Sequence, residues 1–336
     1  MVHDLPANMP SKAAALRFPH ERTFLPRTKL AYVHLRNLLT DAKRDRAARV
    51  FGFVAIWLPE EMVMLYMQEG EVVNATTSID GRTFEAIPIA AAIGRVPTEP
   101  ELGEVTFKEA DDEQLACMFC AQTMPSEPWP SELDPRNPRA LFPYLAATTF
   151  DGTVEIIVDS TVNYLVFRDG TVTRGFLVDG GVAQGALVER VRRLFPGTER
   201  RAVPDLRRWP VPPPLPVQAP PSLIKAYREL ANTIIAALVA EGAESAPAVA
   251  EQARLVLCNK HPCLDSWLPG GRIAREPVVD SATLSAAMAD WASELLWAAT
   301  PESTSPEEIL RVATHERRHV FQSAGLFDAL PWKVEF

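Results

Sequence analysis

GFVAIWLPEEMVMLYMQEGEVV (residues 52–73) recurs, loosely, as GTVEIIVDSTVNYLVFRDGTVT (residues 152–173), one hundred positions along the chain. Without a gap, Gly52, Val54, Ile56, Leu65, Gly70 and Val72 return as Gly152, Val154, Ile156, Leu165, Gly170 and Val172. β-branched and aromatic residues crowd both stretches, so each reads as a β-meander. The pattern predicts strands over Phe51–Leu58 and Met62–Gln68, a turn at Pro59–Glu61, and a third strand from Glu71. Glu69-Gly70 and Asp169-Gly170 are tight hairpin signals, because glycine takes a positive φ without a Cβ penalty. Two glycines at one spacing, flanked by one apolar pattern, point to an internal repeat.

The flanks repeat as well. Leu30, Val33, Leu35, Leu38 and Leu39 precede the first meander at helical spacing. Leu141, Phe142, Tyr144 and Leu145 precede the second, with Pro143 limiting them to a turn or an early helix position. Asp80-Gly81 leads into Phe84, Ile87, Ile89 and Ile93, where Pro88 delays a helix; Gly180-Gly181 leads into Leu187, Val191, Leu194 and Phe195. Extended pieces follow at Gly103–Phe107 and Gly197–Val203.

This order of helix, Gly-started strand, strand, Gly hairpin, strand, Gly, helix and strand resembles the PATAN domain. The matching residues are Gly52, Tyr66, Gly70, Val72, Val73, Ala75, Gly81, Gly103 and Phe107. The second copy keeps Gly152, Gly170, Val172, Gly181 and Gly197, with Phe167 one position later than Tyr66 would place it. It departs from the family at Gly175 and at Ala202–Val203. The likeness covers residues 28–125 and 138–203. It implies a bacterial protein-interaction module found beside response-regulator and other signalling components, with no catalytic residues to carry over.

Proline punctuates the rest. Pro125–Pro138 separates the copies, and eight prolines fall between Pro204 and Pro221. The second stretch reads as an extended polyproline spacer, with an SH3-type ligand as its functional alternative. Beyond it the period becomes helical, with a stripe from Leu223 through Tyr227, Leu230 and Ile234 to Leu238. Further helices start near Pro247, Ser281 and Ser305, where Ser-Pro-Glu-Glu is a capping box; Trp332–Phe336 alternates like an edge strand. The fold expected is α+β: two repeated small antiparallel β-meander units with flanking helices, followed by a C-terminal helical bundle. Its parts are a tail (1–27), a first unit (28–125), a linker (126–137), a second unit (138–203), a spacer (204–221) and a helical domain (222–336).

The sharpest enzymatic motif is His315-Glu-Arg-Arg-His319, the H-E-x-x-H of zinc hydrolases, in which Glu316 would activate water. On a helical wheel the two histidines face away from Ile309, Ala313 and Val320. Arg317 and Arg318 would oppose a cation, and no His or Cys follows His319. Cys258, His261 and Cys263 are zinc-type donors at a non-standard spacing. Cys117 and Cys120 form a C-x-x-C inside a predicted helix, Glu113–Gln122, without a thioredoxin-like strand before it. All four cysteines read as small core hydrophobes. Asp151 and Asp159 sit at strand ends as turn residues. Hence no catalytic residue, cofactor or metal is expected, with Glu316, His315, His319, Cys258, His261 and Cys263 as the alternative hydrolase set. A small-molecule sensor is a further alternative.

A net charge of −9 disfavours a nucleic-acid partner. No apolar run exceeds seven residues, and the first 27 lack a signal-peptide stretch, so a cytoplasmic, non-inserted protein is expected. Its partners would be proteins, signalling components or further copies of itself. The acids of Glu99–Glu113 and the arginines of Glu189–Arg208 form patches of opposite sign, expected to attract each other or outside partners.

Overall fold

The computed structural model describes residues 15–44, 50–97, 102–178, 187–195, 203–268 and 275–336. Gly180, Gly181, Gly185, Gly197 and Ala202, and residues 1–14 of the predicted tail, lie outside them. The chain divides into two compact units: residues 1–87 with 92–216, and residues 88–91 with 217–336.

The hundred-residue repeat is structural. An entering strand, β1 (Thr23–Lys29), precedes the first copy, which runs α1 (Leu35–Arg44), β2 (Gly52–Trp57), β3 (Met62–Gln68), β4 (Glu71–Ser78), β5 (Glu85–Ala86), α2 (Ile89–Gly94) and β6 (Glu104–Glu109). Helix α3 (Asp112–Thr123) links the copies. The second runs α4 (Pro138–Ala147), β7 (Gly152–Val158), β8 (Thr161–Arg168), β9 (Thr171–Phe176), α5 (Leu187–Leu194) and β10 (Asp205–Pro210). The sheet orders are β1-β6-β2-β3-β4-β5 and β10-β7-β8-β9, so β6-β2-β3-β4 and β10-β7-β8-β9 share one topology. Registers match too. Val54 faces Leu65 and Val154 faces Leu165, and both meanders slip register at the same place, between Tyr66 and Met67 and between Val166 and Phe167. Phe167 is therefore the counterpart of Met67, not of Tyr66.

Side-chain parity sorts the strands into three cores, since successive residues point to opposite faces. Val54, Ile56, Val63 and Leu65 pack with Leu35 and Ala42 of α1. Val154, Ile156, Val158 and Leu165 pack with Leu141 and Leu145 of α4. The opposite faces meet each other. Phe53, Ala55, Met64 and Tyr66 share one core with Tyr164, Val166, Trp209 and the buried helix α3. The two copies thus form a layered pair around a common interior.

Several expectations are corrected. Pro143 sits inside a ten-residue helix, α4, started by Pro138 and capped by Asn137, whose side chain accepts from Arg139 N–H. The last strand of the second copy is β10, within the stretch read as a polyproline spacer. It is an edge strand, where the missing N–H of Pro210 costs no ladder bond. The acidic stretch meets different arginines. Arg174 pairs with Asp111 and with Glu113 at 3.0 Å, and Arg168 with Glu113 at 3.8 Å. Arg192, Arg207 and Arg208 pair instead with Glu189, Glu155 and Glu127.

The helical unit contains α6 (Pro221–Ala240), α7 (Ala246–Leu257), α8 (Cys263–Trp267), α9 (Ser281–Ala299), α10 (Pro306–Thr314), α11 (Arg318–Ser323) and α12 (Leu326–Ala329). Tyr227, Leu230, Ile234, Leu284, Met288, Trp291 and Leu295 fill its core. Ser305 caps α10 by accepting from Glu308 N–H at 3.2 Å. The helix expected to start at Ser305 is broken by a 3-10 turn at His315–Arg317. Trp332–Phe336 forms no strand; Trp332 packs on Trp297 instead, ring to ring at 5.1 Å.

Candidate functional site

The hydrolase-type residues do not converge. His315 and Glu316 lie in the 3-10 turn and His319 in α11, all three exposed, so the i, i+4 geometry of a zinc helix is interrupted between the two imidazoles. His261 meets Asp290, its Nε2 2.8 Å from a carboxylate that also accepts from Lys260. Cys258 lies 3.4 Å from the guanidinium of Arg254, a buried arginine held by Glu251 and Asp265. Among the described residues no group of three or more His, Cys, Asp or Glu could hold a metal ion. Burial pushes the thiols up: Cys263 and Cys120 to about 11 and Cys117 to about 12, which keeps them protonated and poorly nucleophilic at neutral pH. Asp151 and Asp159 do turn work. Asp151 accepts from Asp169 N–H at 2.6 Å, and Asp159 opens a turn with φ +48°. Metal analysis of the purified chain before and after His315→Ala is expected to show equal metal content. Near-stoichiometric zinc lost with the histidine would restore the hydrolase reading.

The common interior holds several hydrogen-bonded polar groups. Gln122 of α3 accepts from Tyr66 at 2.6 Å and from Thr76 at 2.7 Å, and Cys117 lies 3.3 Å from Thr153. Glu155, 3 % exposed, receives Arg207 from the neighbouring strand at 2.8 Å. Burial raises the Glu155 carboxyl, and Arg207 opposes that rise. An acid raised on folding binds more protons folded than unfolded, so stability falls as pH climbs through its folded value. Arg207→Met strands the carboxylate and is expected to cost about 3–5 kcal/mol at pH 7. That deficit should shrink at pH 5, as Glu155 takes up a proton. Urea unfolding at the two pH values checks it; an equal or larger deficit at pH 5 would contradict this account.

Two features escaped sequence reading. On the helical unit, Trp297 is 68 % exposed although its ring meets Trp332 at a tilt of 41°, and Arg318 lies 4.1 Å over the Phe336 ring. On the sheet unit, an arm at residues 15–20 crosses the seam between the sheets. Arg17 N–H donates to Ser160 O, and Val162 N–H donates to Arg17 O, each at 2.9 Å. Beside this arm a cavity opens onto the inward side chains of β6, Thr106 and Lys108. Lys108 at the inward parity of a buried strand was the available signal, but reading it required knowing that the face was inward.

Comparison with family models, with curated proteins and with solved structures finds no match.

Proposed function

We propose that the chain is a non-enzymatic signalling or scaffold protein that acts by binding other proteins, its two copies forming a tandem PATAN-like unit in a bacterial cytoplasm. The observation that carries this reading is Trp297. Tryptophan is highly buried on average and is enriched where binding energy concentrates. The raised thiols and the exposed, separated residues of the H-E-x-x-H segment favour recognition over catalysis. None of the described helices is long and apolar enough to cross a membrane, in keeping with docking to proteins. Response regulators or related signalling components are the partners this reading names.

Trp297→Ala should cost no more than about 1 kcal/mol, since most of the side chain is already in water and its contact with Trp332 is the packing lost. It should also abolish the discrete adduct formed when a photo-crosslinking residue placed at Val312, exposed on the same unit, is activated in the host cell. An adduct of the same identity and yield with Trp297→Ala would contradict the proposal.

A further inference from the structure

The cavity beside the arm has a cationic wall. Its volume is about 310 Å³, at the small end of ligand pockets. Phe18, Phe53 and Trp57 supply aromatic walls, and Arg17, His20, Arg27, Thr106 and Lys108 supply the polar ones. Phe18 and Phe53 meet edge to face at 6.2 Å, and Arg27 lies 4.1 Å over the Trp57 ring. Among the described residues no carboxylate lines the space.

Lys108 is the group in need of a partner. Its Nζ lies 2.7 Å from Thr23 Oγ1 and 3.2 Å from His20 Nε2. Among the described residues it meets no carboxylate. The acids at the ends of its own strand are taken: Glu104 accepts from Arg27 at 2.5 Å, and Glu109 pairs with Arg22 at 3.0 Å. His20 Nδ1 faces Phe18 O at 3.4 Å, so its proton belongs there and Nε2 offers Lys108 only a neutral lone pair. A half-buried ammonium with neutral neighbours is costly unless an anion joins it.

We propose that this pocket binds a small aromatic carboxylate, its carboxylate on the Lys108 ammonium and its ring among Phe18, Phe53 and Trp57. The aromatic walls select a flat apolar body, which inorganic phosphate lacks. Lys108 is the half-buried cation without a carboxylate and matches one negative charge; Arg17, also in the lining, is exposed to solvent. Burial holds Lys108 below its ordinary value, and burial with the Lys108 charge does the same to His20; a bound carboxylate would reverse both directions. This site is independent of the Trp297 surface and survives or fails without it.

Titration calorimetry on the full chain can test the pocket with benzoate, neutral benzamide and inorganic phosphate. Benzoate should saturate one site and bind about tenfold or more tighter than benzamide. Lys108→Met should erase that preference while keeping or raising the melting temperature. In unmodified protein, benzoate should shift the NMR signals of the His20 ring and the Trp57 indole, a readout that needs no variant. Equal affinity for benzoate and benzamide, tighter binding of phosphate, a preference retained by Lys108→Met, or shifts that spare His20 and Trp57 would each overturn the assignment, as would no saturable benzoate binding at all.

Discussion

Replacing Trp209 with alanine is expected to destabilise the sheet unit by about 3–5 kcal/mol, the usual cost of emptying a buried tryptophan site. Trp209 is 1 % exposed and its indole N–H donates to Met124 O at 3.0 Å. It belongs to β10 of the second copy, yet its neighbours in the common core include Phe53 and Tyr66 of the first and the linking helix α3. The cavity would open between the copies, where neither copy's own helices can close it. Denaturant unfolding followed by far-UV circular dichroism measures the loss. A change below about 1 kcal/mol, the range of tolerated surface substitutions and mild repacking, would mean that this interior is not tightly packed.

The second large effect lies at the hairpin glycines. Gly70 has φ +81°, and a Cβ there would stand 2.4 Å from Ala42 O of α1. Gly170 has φ +73°, and its Cβ would stand 2.6 Å from Leu145 O of α4. Each hairpin therefore presses its glycine against the backbone of the helix that precedes its own meander. Gly70→Ala and Gly170→Ala each combine left-handed strain, about 1–2 kcal/mol, with overpacking against backbone, about 1–3 kcal/mol. Glu69, in the same turn, already holds φ +51° with an exposed side chain. Glu69→Gly trades strain for chain entropy and should stay within about 1 kcal/mol of the parent. Melting temperatures of the three variants check the contrast. A Gly170→Ala protein as stable as Glu69→Gly would refute the close approach.

Those glycines also explain why the duplication could be read without coordinates. A position that demands both a positive φ and a missing side chain admits almost one residue type, so Gly70 and Gly170 stand out at their spacing of one hundred. Which faces of the two copies meet was harder to see. Gly52–Trp57 and Met62–Met67 are buried on both sides, so apolar residues run on without the alternation that would mark one face as outward. Val54 and Val154 are core residues, each packed against its own copy's helices; the shared interior belongs to Phe53, Tyr66, Tyr164 and Trp209. β10 was hidden by Pro204 and Pro210, which bracket the strand without interrupting it. The exposed positions of His315 and His319 followed from the wheel, whereas the 3-10 turn between them had no sequence signal. The pocket at Lys108 joins residues 18–20, 53–57 and 106–108, a juxtaposition that only the sheet and its arm create.

Native-state hydrogen exchange on Trp209→Ala tests the central claim, that the two copies are one cooperative body around a common core. Amide protection should fall together in β2, β3 and β6 of the first sheet and in β7, β8 and β10 of the second. Faster exchange confined to β7–β10, with the first sheet protected as in the parent, would show two independent copies and contradict the account.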